Sequence, residues 1–238
     1  MLSGVATLAA CERRSPGSRE SAAAGPGQTQ SQTQGQTQGA GAPPAQASAT
    51  ARPRVVALGD SLTAGLGLPP DQAWPAIVQR RITEAGLDVE VVNAGVSGDT
   101  TAGGVRRLDW ALDGDVKVLV LALGANDGLR GLPVEQMQGN LAQMIRTARD
   151  RGIAVLLCGM EAPPNFGAQY TREYRTAYAD LADEHDVALI PFMLAGVAGD
   201  MALNQNDGIH PNEEGTRRVA DLIWQSLQPM LTRALAPS

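Results

Sequence analysis

Residues 54–67 read RVVALGDSLTAGLG, and the fold follows from where this stretch stops being apolar. Val55, Val56, Ala57 and Leu58 run together without polar alternation, the pattern of a central strand buried on both faces. Gly59, Asp60 and Ser61 then break the run, and a segment with helical spacing begins soon after. A strand that gives way to a helix needs a sharp turn, which glycine allows because it has no Cβ to clash. That turn leaves the Ser61 hydroxyl at the carboxyl end of the sheet, where open α/β folds collect their ligands. Alone, Gly-Asp-Ser is a turn signal. The weight falls on the rest of the chain.

Working toward the C-terminus, residues 72–85 have helical spacing, with Trp74, Ile77, Val78 and Ile82 on one face and Gly86 as the C-cap. Val89, Val91 and Val92 form a second strand that runs into Ser97-Gly98-Asp99-Thr100, and a helix follows through Val105, Leu108 and Ala111. Residues 116–123 make a third, strongly apolar strand ending in Gly124-Ala125-Asn126-Asp127-Gly128. Pro133 opens a helix, near the first turn where proline is tolerated, that continues to Gly152. A fourth strand over 153–157, a helix over about 169–184, a short strand over 187–190 and a helix from about 212 to 231 complete the series. Five strands alternating with helices specify an α/β fold, a three-layer α/β/α sandwich around a five-stranded parallel sheet.

Working toward the N-terminus, residues 12–53 contain no Val, Ile, Leu, Met, Phe, Tyr or Trp and include the near-repeat QTQSQTQGQTQG. So little apolar surface cannot offset the entropy of ordering, so the segment reads as a disordered linker. As a flexible coil it would span roughly 35 Å. Residues 1–11 form a short apolar run ending Leu8-Ala9-Ala10-Cys11. It is too short to cross a bilayer and reads as the tail of a secretory signal. That ending resembles a bacterial lipobox, which would lipidate Cys11, although no Lys or Arg precedes the apolar run. The expected domain is 54–236, the protein is expected to be exported and periplasmic, and a lipid anchor at Cys11 would hold it to a membrane.

Of the two cysteines only Cys158 falls in the domain, so no internal disulfide is expected and Cys158 reads as a small core residue. No Cys/His cluster has metal-ligand spacing, and no metal or cofactor is expected. A formal charge of −6 argues against nucleic acid as a partner. With two histidines in the chain, His185 and His210, any histidine chemistry has two candidates. His185 sits near a helix C-terminus, where the helix dipole suits it, and reads as structural.

Four polar clusters follow the apolar runs, and each has an ordinary reading. Gly59-Asp60-Ser61 is a turn; Ser97 or Asp99 serves as a helix N-cap; 124–128 is a Gly/Asn turn; Asp207-Gly208-Ile209-His210-Pro211 leads into the last helix. Jointly they hold the parts for acyl transfer. A serine needs a base near neutral pKa, and that histidine needs a carboxylate to fix its tautomer. Asp207 lies three residues before His210, within reach of the same site. The oxyanion needs donors already aimed: the Ser61 N–H, the Gly98 N–H and the Asn126 amide.

GDSLTAG, SGDT, GAND and DGIHP resemble blocks I, II, III and V of the SGNH (GDSL) hydrolases in order and spacing, over essentially all of 54–231. The pattern is most similar to the bacterial thioesterase I, lysophospholipase L1 and arylesterase group. GANDGLRG at 124–131 supports this, as does PPNFG at 163–167, which resembles that group's acyl-binding loop. The resemblance implies a flavodoxin-like SGNH fold, Ser61 as nucleophile, Asp207 and His210 completing a triad, and Ser61, Gly98 and Asn126 as oxyanion hole. It implies hydrolysis of aryl esters, acyl-CoA or lysophospholipids without a cofactor. Arg130, Ala162 and Pro163 are expected to touch substrate. Glu161 reads as a solvated loop charge, and Phe192, Met193, Leu194 and Met201 as acyl-pocket or packing residues. The linker departs from the family's usual mature domain. Three rivals remain: a carbohydrate O-acetyl esterase, which the scarcity of aromatics disfavours; a non-catalytic exported lipoprotein; and phospho-acceptance by Asp60, which lacks the acidic partners for Mg²⁺.

Overall fold

A computed structural model describes residues 52–236. The expectations for residues 1–11, and for nearly all of the linker, lie outside that range.

Five strands form where the apolar runs stand: β1 (Arg54–Gly59), β2 (Glu90–Gly95), β3 (Val116–Ala122), β4 (Ala154–Cys158) and β5 (Ala188–Ile190). All pair in parallel, in the order β2-β1-β3-β4-β5. Val55 to Leu58 in β1 and Val118 to Leu121 in β3 are at most 1 % exposed, which is why these two strands carry no polar alternation. Each fully buried Val or Leu contributes about 1.5–3 kcal/mol relative to exposure. The helices are α1 (Ser61–Ala64), α2 (Trp74–Glu84), α3 (Thr101–Ala111), α4 (Ala125–Leu129), α5 (Val134–Asp150), α6 (Ala168–His185) and α7 (Glu213–Ala234). α2 packs against α7, while α3 packs on α5 and α5 on α6. With right-handed crossovers these two sets cover opposite faces of the sheet.

The strand order reverses direction between β1 and β3. At such a switch point neighbouring loops leave on opposite faces and open a crevice, so this is where a ligand site is expected. Two glycines let α1 sit tightly over it. A Cβ on Gly95, at the end of β2, would collide with the Ala64 backbone nitrogen and lie 2.8 Å from its Cα. A Cβ on Gly59 would run into the Thr63 side chain and lie 2.9 Å from the Ala122 carbonyl.

The local structure departs from the sequence reading in three places. Residues 124–128 are not a simple turn: Gly124, at φ 119°, leads into the one-turn helix α4. The Tyr174 and Tyr178 hydroxyls donate to the Gly124 and Leu123 carbonyls at 2.7 and 3.0 Å, so the bend keeps its acceptors satisfied. Neither Ser97 nor Asp99 caps α3. Its N-cap is Thr100, with no side-chain bond. The buried Asp127 carboxylate, from α4, instead accepts the Thr101 N–H at 2.9 Å and its hydroxyl at 2.7 Å. Finally, residues 70–72 form a separate 3₁₀ turn before α2, and Pro133 is the N-cap of α5.

Candidate active site

Ser61 is the first residue of α1, so its N–H has no intrahelical acceptor. Asp60 is the N-cap, and its Oδ1 accepts the Leu62 N–H at 3.0 Å. The turn therefore presents the serine while the residue before it stitches the helix to the strand.

His210 comes from the far side of the sheet, on the long segment between β5 and α7, and must be held over the β1 end. Gln205 is the pin. Its N–H donates to the His210 carbonyl at 2.7 Å, and its Nε2 to Leu66 O at 2.7 Å and Pro211 O at 3.0 Å. An antiparallel bridge between Asn204 and Pro211 closes the loop. The result brings His210 Nε2 to 2.9 Å from Ser61 Oγ and His210 Nδ1 to 2.7 Å from Asp207 Oδ2. A carboxylate can only accept, so Nδ1 carries the proton and Nε2 is free to accept from the serine hydroxyl. The Asp207 Oδ1 takes the backbone N–H groups of Ile209 and His210 at 2.9 and 3.0 Å. Those two bonds, with the imidazole bond, hold its carboxyl down at about 2. Asp207 is an anion across the neutral range.

The Gly98 N–H donates to no backbone carbonyl among the described residues, and Gly98 adopts φ 81°. Asn126 Nδ2 donates to the Asp99 carbonyl at 2.9 Å and, more weakly, to Asp60 Oδ2 at 3.3 Å. Ser61, Gly98 and Asn126, from the ends of β1, β2 and β3, thus line one pocket. These groups open into a pocket of about 760 Å³ whose apolar wall includes Leu62, Leu66, Leu129, Met160, Phe192 and Leu194.

Of the other expected residues, Ala162 and Pro163 line this pocket. Arg130 does not; its guanidinium donates to the Gly98 carbonyl at 2.8 Å. Glu161 lines the pocket and pairs with Arg175 at 2.9 Å. Met193 is buried and does not line the pocket, and Met201 is exposed. His185 ends α6 and does not line the pocket. The Cys158 thiol is fully buried and pushed up to about 12, so it offers no thiolate as a competing nucleophile. Among the described residues no group of three or more His, Cys, Asp or Glu is placed to hold a metal, and no helix is long and apolar enough to cross a membrane.

The sequence offered Asp60 only as a turn residue and as a rival phospho-acceptor; the structure makes it the N-cap of α1. Its carboxyl is buried against Asn126, too enclosed for a phospho-acceptor, and burial raises it to about 6. Because the folded state favours the neutral acid, the native domain binds this proton more tightly than the unfolded chain does. Stability from Asp60 is therefore fullest below about pH 4 and declines as the pH rises toward 6. Denaturant unfolding of wild type beside Asp60→Asn, which does not titrate, should show wild type losing about 2–3 kcal/mol relative to the variant between pH 4 and pH 7. A pH-independent difference would mean the carboxyl ionises as freely as in the unfolded chain.

Residues 57–218 match the model of the GDSL-like lipase/acylhydrolase family. Esterase TesA of Pseudomonas aeruginosa is 43 % identical over 178 residues, which cover 74 % of this chain and 89 % of that protein. Thioesterase 1/protease 1/lysophospholipase L1 of Escherichia coli K12 is 35 % identical over 178 residues, 74 % of this chain and 84 % of that protein. A crystal structure of TesA superposes with a TM-score of 0.72 at 42 % identity, covering 74 % of this chain and 99 % of that one. Sequence and fold agree with these relatives, and the chain belongs to the GDSL-like lipase/acylhydrolase family.

Proposed function

We propose that this protein is a serine esterase and thioesterase, acting on aryl esters, acyl-CoA or lysophospholipids through an acyl-serine intermediate. The observation that carries the reading is the relay Asp207–His210–Ser61, at 2.7 and 2.9 Å, facing an apolar pocket. Ser61 Oγ attacks the carbonyl carbon while His210 Nε2 takes the hydroxyl proton. The tetrahedral oxyanion accepts from the Ser61 and Gly98 N–H groups and the Asn126 amide. Collapse breaks the bond to the alcohol or thiol, which leaves with the proton from His210. A water then attacks the acyl-serine, again with His210 as base, and returns the free serine and the acid.

The pocket volume lies in the range that holds drug-sized ligands, and its wall is mostly apolar. That supports an acyl chain over the acetyl group of an O-acetyl esterase. Hydrolysis of p-nitrophenyl esters from acetate to decanoate tests this. We expect kcat/KM to rise roughly two- to fourfold per added CH₂ until the pocket is full, since each buried CH₂ contributes about 0.8 kcal/mol. A maximum at acetate favours the O-acetyl esterase, and no hydrolysis of any ester favours the non-catalytic lipoprotein.

Residues 1–11 are inferred to direct export and residues 12–53 to act as a tether behind a lipidated Cys11. The Leu8-Ala9-Ala10-Cys11 ending and the composition of the linker support this. Expression in a Gram-negative host should place wild type in the membrane fraction and Cys11→Ser in the soluble one. Wild type in the soluble fraction removes the anchor.

A further inference from the structure

The three oxyanion donors come from three different strand ends, and loops at strand ends move most easily. Something has to keep them in register. We propose that Arg107 is a positioning residue, which ties the ends of β1 and β2 together and orients the Asn126 amide through Asp99.

Arg107 lies on α3 and does not line the pocket. Its Nη2 donates to Gly59 O at 2.8 Å, its Nη1 to Ala94 O at 2.6 Å, and its Nε to Asp99 Oδ2 at 2.7 Å. The two ionic side chains are only 17 % and 16 % exposed, so water screens the pair weakly. Gly59 and Ala94 lie side by side at the ends of adjacent strands, near the Leu58↔Ala94 and Gly59↔Gly95 pairs of the ladder. Gly59 is two residues before Ser61. Asp99 directly follows Gly98, and its own carbonyl takes the Asn126 amide at 2.9 Å. One rigid guanidinium therefore fixes the backbone that carries two of the donors and the acceptor that aims the third. Its planar fork sets the angles between the three bonds, which the single ammonium of a lysine does not do. Arg130 holds the same loop through the Gly98 carbonyl.

A side chain that only stapled the fold would cost stability and leave turnover per folded molecule unchanged. A positioning residue lowers kcat, and part of that loss runs through Asn126. The experiment is a double-mutant cycle in the full-length protein, with p-nitrophenyl butyrate as substrate and circular dichroism and melting temperature as checks on folding. Arg107→Met is expected to lower kcat roughly 10–100-fold, the scale of a misplacement near 1 Å, with KM within about threefold of wild type. In an Asn126→Ala background the same substitution should cost several-fold less than in wild type, because one of the three donors it positions is gone. Arg107→Lys, which keeps the charge without the fork, should recover only part of the loss. If Arg107→Met does not fold, Asp99→Asn, which keeps shape and backbone carbonyl but weakens the ion pair, enters the same cycle with a several-fold loss expected. Equal losses in both backgrounds, or a raised KM at unchanged kcat, overturn the proposal. The inference rests on the esterase reading, yet the two fail separately: hydrolysis that survives Ser61→Ala defeats that reading, whereas additive losses in a Ser61-dependent enzyme defeat the role of Arg107 alone.

Discussion

Ser61→Ala is expected to lower kcat for ester hydrolysis by about 10⁴–10⁶-fold and leave the domain folded. In the proposed mechanism the hydroxyl forms the covalent bond, and nothing near it offers a replacement. The one thiol in the domain, Cys158, is fully buried and held neutral. Structurally the substitution removes little: one bond to His210 at 2.9 Å from a half-buried side chain, about 1 kcal/mol in net terms. Activity and stability should therefore separate cleanly. His210→Ala is expected to lose a similar factor, and the double variant scarcely more, because a nucleophile without its base and a base without its nucleophile are equally idle. Steady-state hydrolysis of p-nitrophenyl butyrate, with intact-mass detection of the wild-type acyl adduct, measures both. A Ser61→Ala enzyme retaining more than about one per cent of wild-type kcat would remove Ser61 from the mechanism.

The grouping of Ser61 and His210 was legible in the sequence for reasons that do not extend to their neighbours. β1 and β3 announce themselves because a strand buried on both faces admits only apolar residues, and those runs end where the chain turns over the sheet. His210 could be singled out because the chain holds two histidines, and Asp207 because it lies three positions before one of them. α4 could not be read: five residues give no window for a 3.6-residue period, and its Gly and Asn are also turn formers. The caps of α3 were misread for a different reason. Asp99 has the chemistry of an N-cap, but Arg107 claims its carboxylate, and Asp127, 26 residues away, takes the vacated role at Thr101. Likewise the contact of Asp60 with Asn126 spans 66 residues. Such pairs exist only once the order β2-β1-β3 has set three strand ends side by side. Local pattern carries the strands and the turn chemistry; contacts between loops depend on sheet order, which no local window holds.

Sheet order also explains why the serine sits on β1 and its base on a loop from the far edge. The switch point lies between β1 and β3, so the proposed oxyanion donors arrive from immediate neighbours with short reach. His210 travels from beyond β5, and the segment that carries it over the sheet also contributes Phe192 and Leu194 to the pocket wall. One long loop thus brings His210 to Ser61 and builds part of the pocket wall.

Asn126→Ala is expected to lower kcat by roughly 10²–10³-fold with KM little changed, the signature of a donor used in the transition state more than in the ground state. In the resting site both amide hydrogens are engaged, with the Asp99 carbonyl at 2.9 Å and Asp60 Oδ2 at 3.3 Å. The second bond is long and therefore weak. It is the one an oxyanion can displace, while the first keeps the amide aimed. Removing the amide also takes a donor from a carboxyl that is already buried and raised to about 6. With that support gone the neutral acid is favoured further, so the pH range over which the native state loses stability should extend above 6. The variant's unfolding free energy, measured against wild type, should fall between pH 6 and pH 8, whereas the loss in kcat should be of similar size at both. Those two readouts separate a reaction partner from a structural tie. A kcat within about fivefold of wild type, accompanied by the stability loss, would leave Asn126 as a brace for Asp60 and assign the oxyanion to the Ser61 and Gly98 N–H groups alone.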